Sequence, residues 1–380
     1  MKGLIDSTLR EGGQMAGVSF RLAEKKRIIT HLLRIGIEEL EIGIATPSDP
    51  DLVELLAFCR RLAPPAPRLA LWSPCRTVNI NFALKLQPDI LALSMPASEI
   101  LIKKKLGRDR DWVLGTVRRS IALARNKGLQ AISLGLEDAT RAAPDFLREL
   151  IMTGARAGAT RIRLADTLGI ATPPDISALL RTVRGYYQGE IGVHLHNDFG
   201  MATANSLTAL DAGSDYADVT VLGIGERAGN ARLEEVVGFL ALRNGRHYQT
   251  TALKPLAALL ATLTGRTISA GQPVIGERIF HCESGLHLQG LRKDPATYEP
   301  FAPEKVGAER QLLYGAKIGK RDIKDCLEPL GIRLAGKQLE KLVREVRKWT
   351  RHHQRPLPPR EFHGLLAAIH GRLTCLPAPR

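Results

Sequence analysis

Eight short runs rich in Ile, Leu and Val recur through the first 225 residues, and their spacing leaves the chain very few folds. They are LIDSTL (4–9), ELEIGI (39–44), RLALWS (68–73), DILALSM (89–95), AISLGLED (131–138), RIRLAD (161–166), IGVHLHND (191–198) and YADVTVLGIG (216–225). Runs this short, bounded by turn residues, read as buried strands. Between them lie segments with apolar residues at helical spacing, such as RLAEKKRIITHLLRIG, DRDWVLGTVRRSIALARNKG, PDFLRELIMTGARAGA and ATANSLTALDAG. Most close on a glycine that suits a helix C-terminus. Eight alternations over about 245 residues match a (β/α)8 TIM barrel, for which about 250 are usual. A doubly wound open sheet would usually hold fewer strands, and no GxGxxG follows the first run. The sequence therefore predicts an α/β protein with a TIM barrel over 1–245.

After residue 245 the alternation stops. GRTISAGQPVIGERIFHCESGLHLQGLRKDPATYEPFAPEKVG is rich in Gly, Pro and polar residues, so 246–318 is expected to be a linker and extended arm. Helical patterning resumes in RDIKDCLEPLGI, GKQLEKLVREVRKW and PREFHGLLAAIHGRL, which predicts a small helical C-terminal subdomain over 319–380.

The chain has 380 residues, a net charge of +15 and five cysteines without CxxC spacing. Neither a disulfide framework nor a thiolate zinc site is indicated. No apolar stretch reaches the roughly 18 residues needed to span a membrane and no signal-peptide core opens the chain, so a soluble, cytoplasmic protein is expected. The positive charge is diffuse and densest in KQLEKLVREVRKWTRHHQR. No nucleic-acid-binding motif accompanies it, and a basic enzyme drawing in anionic substrates explains it as well.

Barrels carry their chemistry at the C-terminal ends of their strands, and the polar residues here follow that rule. Asp6, Arg10 and Glu11 follow the first run, Glu137, Asp138 and Arg141 the fifth, Asp166 and Thr167 the sixth, and Glu226, Arg227 and Asn230 the eighth. His194, His196, Asn197 and Asp198 end the seventh. Residues two apart on a strand face the same side, so His194 and His196 aim two imidazoles at one place. With a carboxylate from another strand end, such a pair suits a divalent metal with open positions for a substrate that chelates through oxygen. Two polar residues merely lining a pocket would give the same spacing.

The motifs DSTLREGGQ (6–14), ADTLG (165–169), HLHND (194–198), GIGERAGNARLEE (223–235) and ESGLHLQGLRKDPATYEPF (283–301), taken in order, resemble the acyl-CoA-condensing branch of the DRE-TIM metallolyases. That branch contains homocitrate, isopropylmalate and citramalate synthases, and the resemblance is strongest to the short homocitrate synthases associated with nitrogen fixation. It implies a Claisen condensation of acetyl-CoA with a 2-oxo acid, 2-oxoglutarate first among the candidates, on a divalent metal such as Mg, Mn or Zn. It implies that Glu11, His194 and His196 bind the metal with Asn230 completing the shell, that Arg10 stabilises charge on the carbonyl oxygen, and that Glu137 and His287 serve proton transfer, His281 being the fallback. Arg141 would hold a distal carboxylate, while Gln14 and Thr167 would bind the substrate or line its pocket. A homodimer with exchanged arms, and no membrane or nucleic-acid partner, is the corresponding expectation.

The resemblance has gaps at Gly13, where the family usually has an acidic residue, at Gly192, where homocitrate synthases often carry Glu, at Leu101 and Lys104, where histidines are common, and across 315–319. These positions bear on which oxo acid is selected or on how the subunit contact closes. The same chemistry on another 2-oxo acid (2-oxoisovalerate, pyruvate, oxaloacetate or a phosphonate analogue) and a non-catalytic regulatory relative are the alternatives. A lyase of the 3-hydroxy-3-methylglutaryl-CoA kind is disfavoured, because no cysteine-bearing glycine loop follows the eighth run.

Overall fold

The computed structural model describes residues 1–62, 66–283, 285–328, 331–334 and 336–370; Ser284 of the arm motif and Cys375 lie outside them. Eight parallel strands close into a barrel in sequence order, β8 hydrogen-bonded back to β1. They are β1 (Gly3–Asp6), β2 (Glu39–Ile44), β3 (Arg68–Pro74), β4 (Ile90–Pro96), β5 (Ile132–Glu137), β6 (Arg161–Asp166), β7 (Glu190–Leu195) and β8 (Tyr216–Val219). Every apolar run named from the sequence is a strand, and this is the predicted TIM barrel. Several runs stop pairing earlier than their apolar pattern does. Beyond Asp6 the chain turns in, with the Thr8 amide and hydroxyl both donating to the Asp6 carboxylate. Beyond Val219 it enters a short 3₁₀ turn at Val221–Gly223 in which Leu222 is left-handed (φ 56°). Apolar composition continues there because the loops are buried, not because they are extended.

The helices lie outside the strands and bury one stripe each. In Pro144–Ala157 the buried residues are Phe146, Leu147, Leu150, Ile151 and Gly154, the i, i+4, i+8 pattern of one helical face. Each fully buried Leu, Ile or Phe contributes about 1.5–3 kcal/mol. Gly154 sits where an added Cβ would come 2.5 Å from Leu134 Cδ2 on β5, so the helix lies close on the sheet.

The barrel interior is more polar than its outer layer. Glu39 and Arg161 form a two-pronged pair at 2.9 Å for each hydrogen bond, and the guanidinium stacks 3.8 Å from the Tyr216 ring centroid. Such charges survive burial only because each is paired and hydrogen-bonded. Two further buried carboxyls, Asp6 at the end of β1 and Glu234 on the helix Leu233–Gly238, are pushed up to about 7 by burial. Folded chains therefore keep a proton on each where the unfolded chain has already lost it. That contribution to stability is complete below about pH 4 and declines as pH rises through about 7, with a slope of up to ~1.4 kcal/mol per pH unit for each group. Glu234→Gln is expected to flatten the fall in the urea midpoint between pH 5 and 8; an unchanged slope would assign the dependence elsewhere.

The first compact unit is Met1–Ile268. It extends past the boundary expected at residue 245, because the helix Leu253–Thr264 buries Leu253, Leu256, Ala257 and Leu260 and packs against the helix Leu22–Ile35. The second unit, Ser269–Arg380, carries a small parallel pair, β9 (His281–Cys282) and β10 (Gln311–Leu312), and the helices Gly285–Lys293, Lys320–Leu327, Gly336–His353 and Pro359–His370. Ile323, Leu342, Val346, Phe362 and Leu366 are among the residues of its own buried core. Among the described residues no helix is long and apolar enough to cross a membrane.

Candidate active site at the barrel mouth

One pocket opens at the C-terminal ends of the strands. Arg10, Glu11, Gln14, Glu137, Thr167, His194 and His196 all line it, together with Trp72, Ser94, Lys105, Arg163 and Glu226. Residues separated by up to 216 positions thus meet because every strand ends at the same rim.

Glu11, His194 and His196 are buried, and each offers a ligand atom within 4.8 Å of the others. His194 Nε2 and His196 Nε2 are 3.2 Å apart, and the Glu11 carboxylate oxygens lie 3.7 Å from the first and 3.9 Å from the second. His194 Nδ1 is 2.8 Å from Asp218 Oδ2. A proton on Nδ1 directed at that carboxylate leaves Nε2 as a lone pair facing the cluster, the usual carboxylate–histidine arrangement behind a metal. Burial drives the His196 imidazole down to about 3, so it is neutral over any ordinary pH range. Burial would raise the Glu11 carboxyl, but the Arg10 guanidinium and the two histidines outweigh it and hold the group below the usual range. Glu11 Oε1, His196 Nδ1 and both amide atoms of Asn230 are buried without a hydrogen-bond partner. Two imidazoles turned to one point, an ionised carboxylate and orphaned polar atoms in one place fit a divalent cation by donor chemistry.

Asn230 arrives from the loop after β8, where it bridges His196 in antiparallel fashion. The loop requires glycine before it: Gly229 has φ 86°, and a Cβ there would lie 1.8 Å from Gly223 O. An added Cβ at Gly225 would come 2.8 Å from Asn230 Nδ2 and 3.4 Å from Glu11 Cγ, so the asparagine amide and Glu11 are near neighbours.

Arg10 is fixed on three sides. Its Nε donates to Glu41 Oε2 at 2.5 Å, Nη1 pairs with Glu11 and reaches Gln14 Oε1 at 3.4 Å, and the guanidinium lies 5.8 Å from the Trp72 ring centroid. Glu137 accepts from Ser94 Oγ at 2.8 Å and from Lys105 Nζ at 2.7 Å, one on each oxygen. Thr167 Oγ1 accepts from the Asp138 amide, tying the fifth loop to the sixth.

Asn230, behind the cluster, Arg141 and His287 are not among the residues lining this pocket. Arg141 folds back on Asp138, donating through Nε and Nη2 at 2.7–3.1 Å. His287 belongs to the second unit, exposed on its helix with its ring centroid 4.2 Å from that of Tyr298. Of the positions where the family pattern is broken, Gly13 faces open space, and Leu101 and Lys104 are absent from the pocket wall. The residues that sequence reasoning passed over are Lys105, Ser94, Trp72, Glu41, Arg163 and Asp218. Strand alternation would have turned Glu41, Arg163 and Asp218 inward, the first two three residues before their strand ends and Asp218 one before its own. Lys105 sits on a π-helical turn, Leu101–Leu106, which no sequence pattern announces.

Comparison with known proteins agrees with this geometry. Residues 3–262 match the HMGL-like family model, and residues 274–354 match the one described as homocitrate synthase post-HMGL domain-like. The chain belongs to the HMGL-like family. It is 36% identical to a 2-isopropylmalate synthase of Caldanaerobacter subterraneus, over 94% of this chain and 93% of that protein. With a homocitrate synthase of Frankia alni it shares 38% identity, over 86% of this chain and 93% of that protein. The solved HMG-CoA lyase of Bacillus subtilis superimposes with a TM-score of 0.63 at 21% identity, covering 70% of this chain and 95% of that one, a likeness of fold. Within the HMGL-like family the chain is thus one of the acetyl-CoA-dependent 2-oxo acid synthases, the branch that holds homocitrate, isopropylmalate and citramalate synthases. The family depends on a divalent metal, and the Glu11, His194 and His196 cluster is able to hold one.

Proposed function

We propose that this chain is a homocitrate synthase-like acyltransferase, joining the methyl carbon of acetyl-CoA to the keto carbon of 2-oxoglutarate and then hydrolysing the thioester. The observation that carries the reading is the meeting in one pocket of the Glu11, His194 and His196 trio with Arg10 and Glu137. Glu11, His194 and His196, with Asn230, would hold the divalent metal, which when bound supplies Lewis acidity to a chelating 2-oxo acid. Arg10, immobilised by Glu41, Glu11 and Trp72, presents a preorganised positive charge to the oxygen that becomes an alkoxide when the carbonyl is attacked.

Glu137 is assigned as the base that removes a proton from the acetyl methyl. Its two oxygens are held by Ser94 and Lys105, so the carboxylate has a fixed direction. The carbanion electrons form the new carbon–carbon bond, the alkoxide takes a proton, and water cleaves the thioester to release CoA as the thiol. His287 is proposed as the second proton-transfer group, supplied by the arm of a partner copy in a homodimer. Gln14 and Thr167 are proposed to contact the 2-oxo acid.

A second reading has one observation in its favour. Arg141, the residue assigned to a distal carboxylate, already has its fork filled by Asp138. An acid without a second carboxylate, such as pyruvate or 2-oxoisovalerate, needs no such guanidinium. The test is thiol release from acetyl-CoA with 2-oxoglutarate, 2-oxoisovalerate, pyruvate, oxaloacetate and a phosphonate analogue, in Mg²⁺ or Mn²⁺. The fastest release is expected with 2-oxoglutarate. Release with a different acid would transfer the assignment to that acid, and silence with all five in metal-loaded protein would overturn the synthase reading.

A further inference from the structure

We propose that Arg163, deep in the barrel, is a positioning residue that holds both sides of the reaction site through one shared cation. The inference rests on the metal site and the Arg10 role proposed above.

Arg163 sits on β6 with its side chain 5% exposed. Its Nη1 donates at 2.9 Å to Glu41 Oε1 and at 2.9 Å to Asp218 Oδ2. The other oxygen of Glu41 receives Arg10 Nε, and the same oxygen of Asp218 lies 2.8 Å from His194 Nδ1. Arg10 and His194 in turn both approach Glu11. Six buried groups from five strands or strand ends therefore form a closed ring: Arg10, Glu41, Arg163, Asp218, His194 and Glu11. Neither Glu41 nor Asp218 contacts the cluster of metal-ligating atoms; each acts by aiming a residue that does.

Glycine flanks this arginine on the two neighbouring strands. In strand register Arg163 stands between Gly135 on β5 and Gly192 on β7, a row with glycine on both sides. A Cβ on Gly135 would come 3.7 Å from Arg163 Nε and 3.2 Å from Leu93 O, and one on Gly192 would lie 3.7 Å from Arg163 Cγ. Gly192, which breaks the family pattern, thus lies beside the arginine stem, at a distance where a Cβ would make ordinary contact. The neighbouring Arg161 and Glu39 form the contrasting case: Arg161 also lies 3.5 Å from Glu190, but neither carboxylate is gripped by a donor of the site. Arg161 and Glu39 sit two residues earlier on their strands, and their hydrogen bonds go to each other. Arg163 has a different wiring, since both of its carboxylates have a second donor at the site.

The two arginines therefore provide a matched comparison. Mn²⁺ is titrated into metal-free protein, and affinity is read by calorimetry after near-ultraviolet circular dichroism has established folding. Arg163→Met is expected to lose at least tenfold in Mn²⁺ affinity, the scale on which groups behind a metal ligand act. Arg161→Met is expected to stay within fivefold of the parent, and Arg163→Lys, which keeps a cation, to recover part of the loss. A loss below fivefold in folded Arg163→Met, or an equal loss in Arg161→Met, overturns the proposal. If Arg163→Met does not fold, Asp218→Asn decides by the same thresholds, because its amide oxygen still accepts from His194 while the charge that grips Arg163 is gone. The Arg10 branch is read separately: Glu41→Gln is expected to leave Mn²⁺ affinity within fivefold and slow CoA release at least tenfold, and unchanged release overturns that branch. A parent protein that binds no Mn²⁺ would instead overturn the metal site itself, an outcome distinct from all of these.

Discussion

Glu11→Gln is expected to remove metal binding and to slow CoA release by about 10³-fold or more, some 4 kcal/mol of barrel-mouth stabilisation lost at the transition state. The reason is the charge balance. Glu11 is the one carboxylate in the three-residue cluster, and the two histidines beside it bring no negative charge. An amide of the same shape would still fill the space below Arg10, so the fold is expected to persist. Glutamine would also leave Arg10, now paired only with Glu41, facing the cation with less compensation. Calorimetric titration with Mn²⁺ checks the binding and thiol release checks the turnover. Normal affinity in the variant would place the metal on other residues.

The second large effect is expected from Glu137→Gln, which removes the proposed base and leaves the metal cluster intact. Turnover should fall by roughly 10²–10⁴-fold, the range usual for loss of a positioned acid–base group. Mn²⁺ affinity and the KM for the 2-oxo acid should stay close to those of the parent, because Glu137 is absent from the cluster of ligating atoms. Incubation in deuterium oxide provides a second readout: exchange of the acetyl methyl protons should disappear with the base. Full exchange in the variant would assign proton removal to another group, with His287 next in line. The amide oxygen can keep the Ser94 contact, while the nitrogen in place of Oε2 cannot accept from Lys105, so the charge and that link are lost together.

These two predictions use residues that the sequence itself brings forward, and the reason is geometric. A His-x-His pair on a strand and polar residues at successive strand ends become neighbours in any closed parallel barrel, so the fold class alone is enough to gather Arg10, Glu11, Glu137, His194 and His196. Asn230 was legible only through the resemblance of the GERAGN motif; the structure adds that Gly229 before it has no room for a side chain. The partner of Arg141 was not legible in the sequence. The arginine's place in the chain is correct for a barrel mouth, but a side chain with several rotatable bonds goes to the nearest strong partner, and that is Asp138.

The sequence by itself determined the eight strands, their order and the rim at which the chemistry gathers, because apolar period and turn residues act locally and a parallel barrel then leaves one arrangement. Only the tertiary structure decided what stands behind that rim. The links from Arg163 to Glu41 and Asp218, from Lys105 to Glu137 and from Asp138 to Arg141 depend on which side chains meet across strands or around a turn. Contacts of that kind are set by register and packing, to which the residues on any one strand contribute only half of each pair.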